Sequence, residues 1–152
     1  MNSDSNLDKI NMQVEIVRKI ILIGVISLVL PVILIPIIKL AGYSEIIEEI
    51  IKTLVVLFLI LKLPNTKLEI TGAILFGFLF GLSENILYLT NIFQGGDFST
   101  FWQRFLWTVP MHIITILIIL FSGIAGKKLI IFGLIAAIIT HLLFNSIVAN
   151  IF

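Results

Sequence analysis

Five apolar runs follow one another along this chain, at about residues 20–40, 44–62, 68–93, 101–122 and 129–151. Each is close to the ~20 residues that a helix rising 1.5 Å per residue needs to cross a bilayer. Hydrocarbon offers backbone amides no partner, so each run must satisfy its own hydrogen bonds as a helix. The breaks are short. Pro64 and Asn65 end the second run, Gly95 and Gly96 the third, and Gly123 and Gly126 the fourth. Short connections make neighbouring helices antiparallel. Composition agrees: 59% of residues are hydrophobic, 12% are charged and the mean hydropathy is +1.18. A soluble domain would carry about 25% charged residues. The expected fold is an all-α polytopic membrane bundle of about five transmembrane helices, forming a single domain over 1–152.

The first run is too long for the apolar region of a signal peptide and no small-residue cleavage motif follows it, so it is expected to be retained. Pro31 and Pro36 are expected to kink it. Before it, Leu7, Ile10, Val14 and Val17 recur at helical spacing. That pattern fits a short interfacial helix over 1–19 or a helical lead-in to the first span. Lys9, Arg18, Lys19, Lys62, Lys67, Lys127 and Lys128 fall on one side of a five-span arrangement. The positive-inside tendency makes that side cytoplasmic, with the N-terminus inside. Tyr43, Trp102 and Trp107 lie near the other side, where interfacial aromatics are common. The expected location is an integral, multi-pass position in the cell membrane. No basic stripe with interleaved aromatics is present, so no nucleic-acid partner is expected. The chain has no cysteine, which excludes disulfides, thiolate-bound metals and a thiol nucleophile.

Against this apolar background, Glu48, Glu49, Glu84, His112 and His141 stand inside the runs. Ionisable groups in hydrocarbon cost a few kcal/mol or more, and they mark pairing, binding or chemistry. Counted from the outer helix ends, Glu84, His112 and His141 lie about 13–17 Å deep, and Glu48 and Glu49 about 6–10 Å. All five can meet in one half of the bilayer. Lys52 is four residues from Glu48 and three from Glu49, so either can pair with it. Two carboxylates beside one lysine also suit a general base. Gly77 and Gly81 form a small-residue face for close helix approach. Arg104, Thr108 and His112 share a face of the fourth run, and His141 and Asn145 share a face of the fifth.

The order Glu48-Glu49-x-x-Lys52, Gly-x-x-x-Gly-x-x-Glu84-Asn85, Pro-x-His112 and His141-x-x-x-Asn145 resembles the PrsW-type intramembrane proteases. It is also similar to the wider superfamily of CAAX-processing and bacteriocin-processing proteases. The similarity spans about residues 44–149. CAAX-type members usually have an arginine one residue beyond Lys52 and a histidine at position 84, so the departures favour the PrsW branch. That branch more often has aspartate where Asn145 stands. The resemblance implies an intramembrane endopeptidase in which Glu48 or Glu49 activates the attacking water. Glu84, His112 and His141 would bind a divalent metal, or would orient the water and stabilise the oxyanion without one. Zinc suits such a His/Glu set. Asn145 would donate to His141 or to the tetrahedral intermediate. The implied partner is a membrane-associated substrate, such as a single-span anti-sigma factor, within the lipid bilayer.

Four rivals follow from the same residues. A serine protease would use Ser83, but Ser83 and Glu84 project about 100° apart on a helix. An aspartyl protease is excluded, because Asp4, Asp8 and Asp97 fall outside the runs. A proton- or ion-conducting transport protein would also bury Glu and His, yet the inner halves of the last three runs are almost wholly apolar and no inverted repeat appears. A non-catalytic relative that binds membrane proteins is the remaining alternative.

Overall fold

The computed structural model describes the backbone of residues 3–95 and 98–151, and side chains over 6–89 and 98–148. It contains five helices and no strand among those residues: α1 (Ser3–Ala41), α2 (Ser44–Lys62), α3 (Thr66–Gly95), α4 (Ser99–Ala125) and α5 (Ile130–Ile151). The chain is thus an all-helical, polytopic membrane bundle. The expected runs coincide with these helices, apart from their ends. The largest difference is at the start, where α1 is one continuous helix of 39 residues. At 1.5 Å per residue it is about 58 Å long, far more than the ~30 Å of a hydrocarbon core. Its polar first turns therefore project beyond the apolar stretch as a helical lead-in. The helix also runs on through Pro31 and Pro36.

Local chemistry explains the turns. After α1, Gly42 and Tyr43 both take left-handed backbone angles, φ 68° and 57°. The Gly42 amide donates back to the Ile38 carbonyl at 2.8 Å, which closes the helix. Leu63 is extended, as a residue before proline must be. Asn65 then caps α3, its Oδ1 accepting from the Leu68 amide at 3.0 Å.

Four helices are long and apolar enough to cross a membrane: α1, α3, α4 and α5. The exception, α2, is 19 residues long and falls short on charge rather than length. It carries Glu45, Glu48, Glu49, Lys52 and Lys62. Three of these, Glu48, Glu49 and Lys52, are buried against the other helices, while Ile50, Leu54, Leu57 and Leu61 face outward. Its outward face is therefore as apolar as that of its neighbours.

The core is a continuous cluster that includes Val56, Leu59, Phe76, Phe80, Ile116, Ile119 and Leu120. Helix α4 touches α2, α3 and α5, and α1 packs mainly on α3. Among the described residues α1 makes no contact with α4 or α5. Contact between α3 and α4 depends on glycine. A Cβ at Gly77 would sit 2.8 Å from Ile113 Cα, and one at Gly81 would sit 3.0 Å from Val109 Cα. That close approach sets α3 against the stretch of α4 that carries His112.

Candidate active site

The polar side chains of four helices converge. Glu48 and Glu49 are sequence neighbours, so they leave α2 about 100° apart. Glu49 turns toward α4 and α5. Its Oε1 accepts from Lys52 Nζ at 2.7 Å and lies 2.8 Å from His141 Nδ1. Lys52 Nζ also donates to Thr115 Oγ1 at 2.9 Å. Lys52, Glu49 and Thr115 are fully buried. A buried charge is tolerable only when paired and hydrogen-bonded, and here the lysine pairs with Glu49 Oε1, while Glu49 Oε2 has no partner among the described residues. The lysine therefore pairs with Glu49, not with Glu48.

Glu48 turns the other way, toward α3. Its Oε2 is buried with no hydrogen-bond partner among the described residues. Opposite it, Glu84 Oε2 and His112 Nε2 are 2.5 Å apart. One potential ligand atom from each of Glu48, Glu84 and His112 lies within 4.8 Å of the others. The His112 ring packs against Phe80, centroids 5.0 Å apart, and edge-on to His141 at 5.5 Å. All five ionisable residues singled out in the sequence thus belong to one connected cluster.

A cavity of about 580 Å³ opens over this cluster. Glu48, Glu84 and His141 line its depth. Pro31, Leu34, Ile35 and Ile38 of α1 form one wall, and Phe144 and Val148 of α5 form part of another. Lys39, Ser44, Arg104 and Asn145 mark the end at which α1 and α5 finish and α2 and α4 begin. Below the cluster, Leu59, Phe76 and Ile119 are sealed from solvent, so the polar space stops there.

A family model described as PrsW family intramembrane metalloprotease matches residues 20–152. The chain belongs to this family. No curated protein and no solved structure matches it. Family membership makes the chain an integral, multi-pass intramembrane protease, and the cluster beneath the cavity is its candidate active site.

Two expected placements differ in the PrsW-family structure. The compact group of potential metal ligands contains Glu48, Glu84 and His112, whereas His141 stands beside it. Its Nδ1 is held by Glu49 instead, which leaves only Nε2 for chemistry in the cavity. Asn145 was expected to serve His141 or an intermediate. Its Nδ2 instead donates to Glu45 Oε1 at 2.9 Å. The reason is helix geometry. Glu45 and Glu49 are one turn apart on α2, and His141 and Asn145 are one turn apart on α5. Antiparallel packing pairs them as two rungs, Glu49 with His141 and Glu45 with Asn145. Sequence reasoning missed Glu45 and Thr115, although the i, i+4 spacing of Glu45 was available to find it. Ser83 points away from the cluster, donating to the Leu28 carbonyl of α1 at 2.7 Å. That removes the serine-protease rival.

The donor set suits a divalent metal. Zinc takes imidazole nitrogen and carboxylate oxygen at ~2.0–2.2 Å, so its ligand atoms lie a few ångströms from one another. Glu48, Glu84 and His112 each bring one candidate atom within 4.8 Å of the others, and Glu48 has a buried oxygen without a partner among the described residues, so an ion could replace the Glu84–His112 hydrogen bond.

Proposed function

We propose that this chain hydrolyses a peptide bond of a membrane protein, with Glu48 as the general base. The observation that carries this reading is the cavity-lining Glu48 carboxylate, whose Oε2 has no partner, facing the Glu84–His112 pair. Glu49 is a poorer base because it does not line the cavity and its Oε1 is held by Lys52 and His141, although its Oε2, like that of Glu48, has no partner among the described residues. A water placed between Glu48 and a substrate carbonyl would lose its proton to Glu48 as its oxygen bonds to the carbonyl carbon. The same proton would then pass to the leaving amine as the C–N bond breaks.

Glu48, Glu84 and His112 would hold a divalent metal, each needing to offer one atom, so Glu48 keeps a second oxygen for the proton. Zinc bound there would lower the pKa of its water and polarise the scissile carbonyl. His141, its ring oriented by Glu49, would present Nε2 to the same space. The sealed core below the cluster favours this reading over an ion pathway, which needs polar groups along the whole bilayer. The distribution of lysine and arginine supports a cell-membrane protein with its N-terminus inside and its cavity toward the outer face. A single-span protein such as an anti-sigma factor is the proposed substrate class.

Cleavage of single-span proteins in membranes tests the reading. Glu48→Gln, Glu84→Gln and His112→Ala should each abolish cleavage while the protein stays folded. Undiminished cleavage by all three would sink it. Metal content before and after chelation, in wild type and Glu84→Gln, separates the metal-assisted route from a carboxylate acting alone.

A further inference from the structure

The charged side chains that line the cavity are acidic at its floor and basic at its mouth, where Glu45 also stands nearby, bound to Asn145. Glu48 and Glu84 lie deep, whereas Arg104 and Lys39 line the open end. Arg104 lies over the Tyr88 ring, its Cζ 4.3 Å from the ring centroid. That stacking fixes the guanidinium plane without using its hydrogen-bond donors. Its Nε is buried and has no partner, and no carboxylate among the described residues forms an ion pair with it. A guanidinium held in place and not paired with a carboxylate among the described residues is suited to grip one through paired hydrogen bonds from its terminal nitrogens.

Resting on the protease reading, we propose that Arg104 is a specificity residue that binds an acidic side chain of the substrate, a few residues from the bond to be cut. Helix geometry sets the distance. Arg104, Thr108 and His112 stand at i, i+4 and i+8 on one face of α4, so Arg104 lies about 12 Å along the axis from His112. An extended peptide advances ~3.3 Å per residue. The favoured acid is therefore about three or four residues from the scissile bond, on the side that leaves through the mouth. Next to it the substrate is apolar, to match Leu34, Ile35 and Phe144 on the walls. Lys39, exposed at the end of α1, adds positive charge to the same opening.

The test uses the full chain in lipid nanodiscs. The probes are synthetic peptides with an apolar span of about 20 residues and a glycine–serine tail carrying one glutamate, walked position by position. Binding is measured on the Glu48→Gln variant, and wild-type cleavage sites are read by mass spectrometry. Binding should peak at one or two adjacent positions, about tenfold above the rest, as a charged hydrogen bond allows. Cleavage should fall three or four residues from that glutamate. Arg104→Lys should keep the peak at the same position but lower it, because an ammonium keeps the charge and loses the paired hydrogen bonds. Arg104→Glu should abolish it and create one for peptides with lysine at the same position. Binding indifferent to position overturns the proposal, as does no binding of any peptide. So does an Arg104→Glu variant that weakens every peptide equally, the result expected of an arginine that only anchors to lipid phosphate. Cleavage without positional preference removes this inference and leaves the protease reading. Positional binding without cleavage does the reverse.

Discussion

Glu48 and Glu49 show how one residue of offset separates chemistry from structure. Each has one buried oxygen without a partner among the described residues, but Glu49 is fully buried and bound to Lys52 and His141 through Oε1, whereas Glu48 lines the cavity. Glu48→Gln should therefore lower cleavage by roughly 10²–10⁴-fold, the usual contribution of a general base, with little change in unfolding in detergent. Lys52→Met should behave differently. It leaves the Glu49 charge buried without its cation, and breaking a buried pair in this way costs about 3–5 kcal/mol. The same denaturation measurement checks it, and Glu49→Gln combined with Lys52→Met should recover part of the loss. Both glutamates were legible in the sequence as costly residues in an apolar run. Their division of labour was not, because it depends on which helix lies on each side of α2.

At the scale of the elements, the α3–α4 contact positions the Glu84–His112 pair. Gly77→Ala would place a methyl group 2.8 Å from the α4 backbone at Ile113, where no flexible side chain can yield. It should destabilise the protein by about 1–3 kcal/mol, as overpacking does, and lower cleavage by separating the two helices. Gly24→Ala is the control. Its Cβ would meet only Leu79 Cδ1 at an ordinary 3.6 Å, so stability should change by no more than ~0.5 kcal/mol. Thermal or denaturant unfolding of the two variants, run beside cleavage assays, distinguishes them. The spacing of Gly77 and Gly81 signals close approach in the sequence, but it names no partner helix. The rungs Glu49–His141 and Glu45–Asn145 likewise needed α2 and α5 side by side before Asn145 could be placed.

For the whole molecule, the informative feature is that α1 and α5 line the same cavity, while among the described residues their backbones do not pack against each other. The expected route of a membrane-embedded segment to the cluster is between these two helices. The chain has no native cysteine, so introduced ones can be linked cleanly. Ile35→Cys with Val148→Cys, joined by a bifunctional reagent, should block cleavage of a single-span substrate. Either single variant treated with the same reagent should retain most activity. Equal cleavage before and after bridging would show that entry lies elsewhere. Metal removal is a second test at this scale. Chelation should lower wild-type cleavage, and Glu84→Gln and His112→Ala should each retain less metal than wild type, as elemental analysis of the purified proteins would show.

The sequence by itself determined the helices, their order and antiparallel course, and the set of residues too costly to bury without purpose. These follow from local rules: apolar length, turn residues and the cost of charge in hydrocarbon. Only the tertiary structure decided which carboxylate faces the cavity, that Lys52 pairs with Glu49, that Glu48 joins Glu84 and His112 while His141 stands beside them, and that Arg104 stacks on Tyr88 at the mouth with no carboxylate partner among the described residues. Each of those depends on the rotation of one helix against another. That rotation is fixed by packing, with Gly77 and Gly81 setting α3 against α4, and periodicity along a single helix carries no record of it.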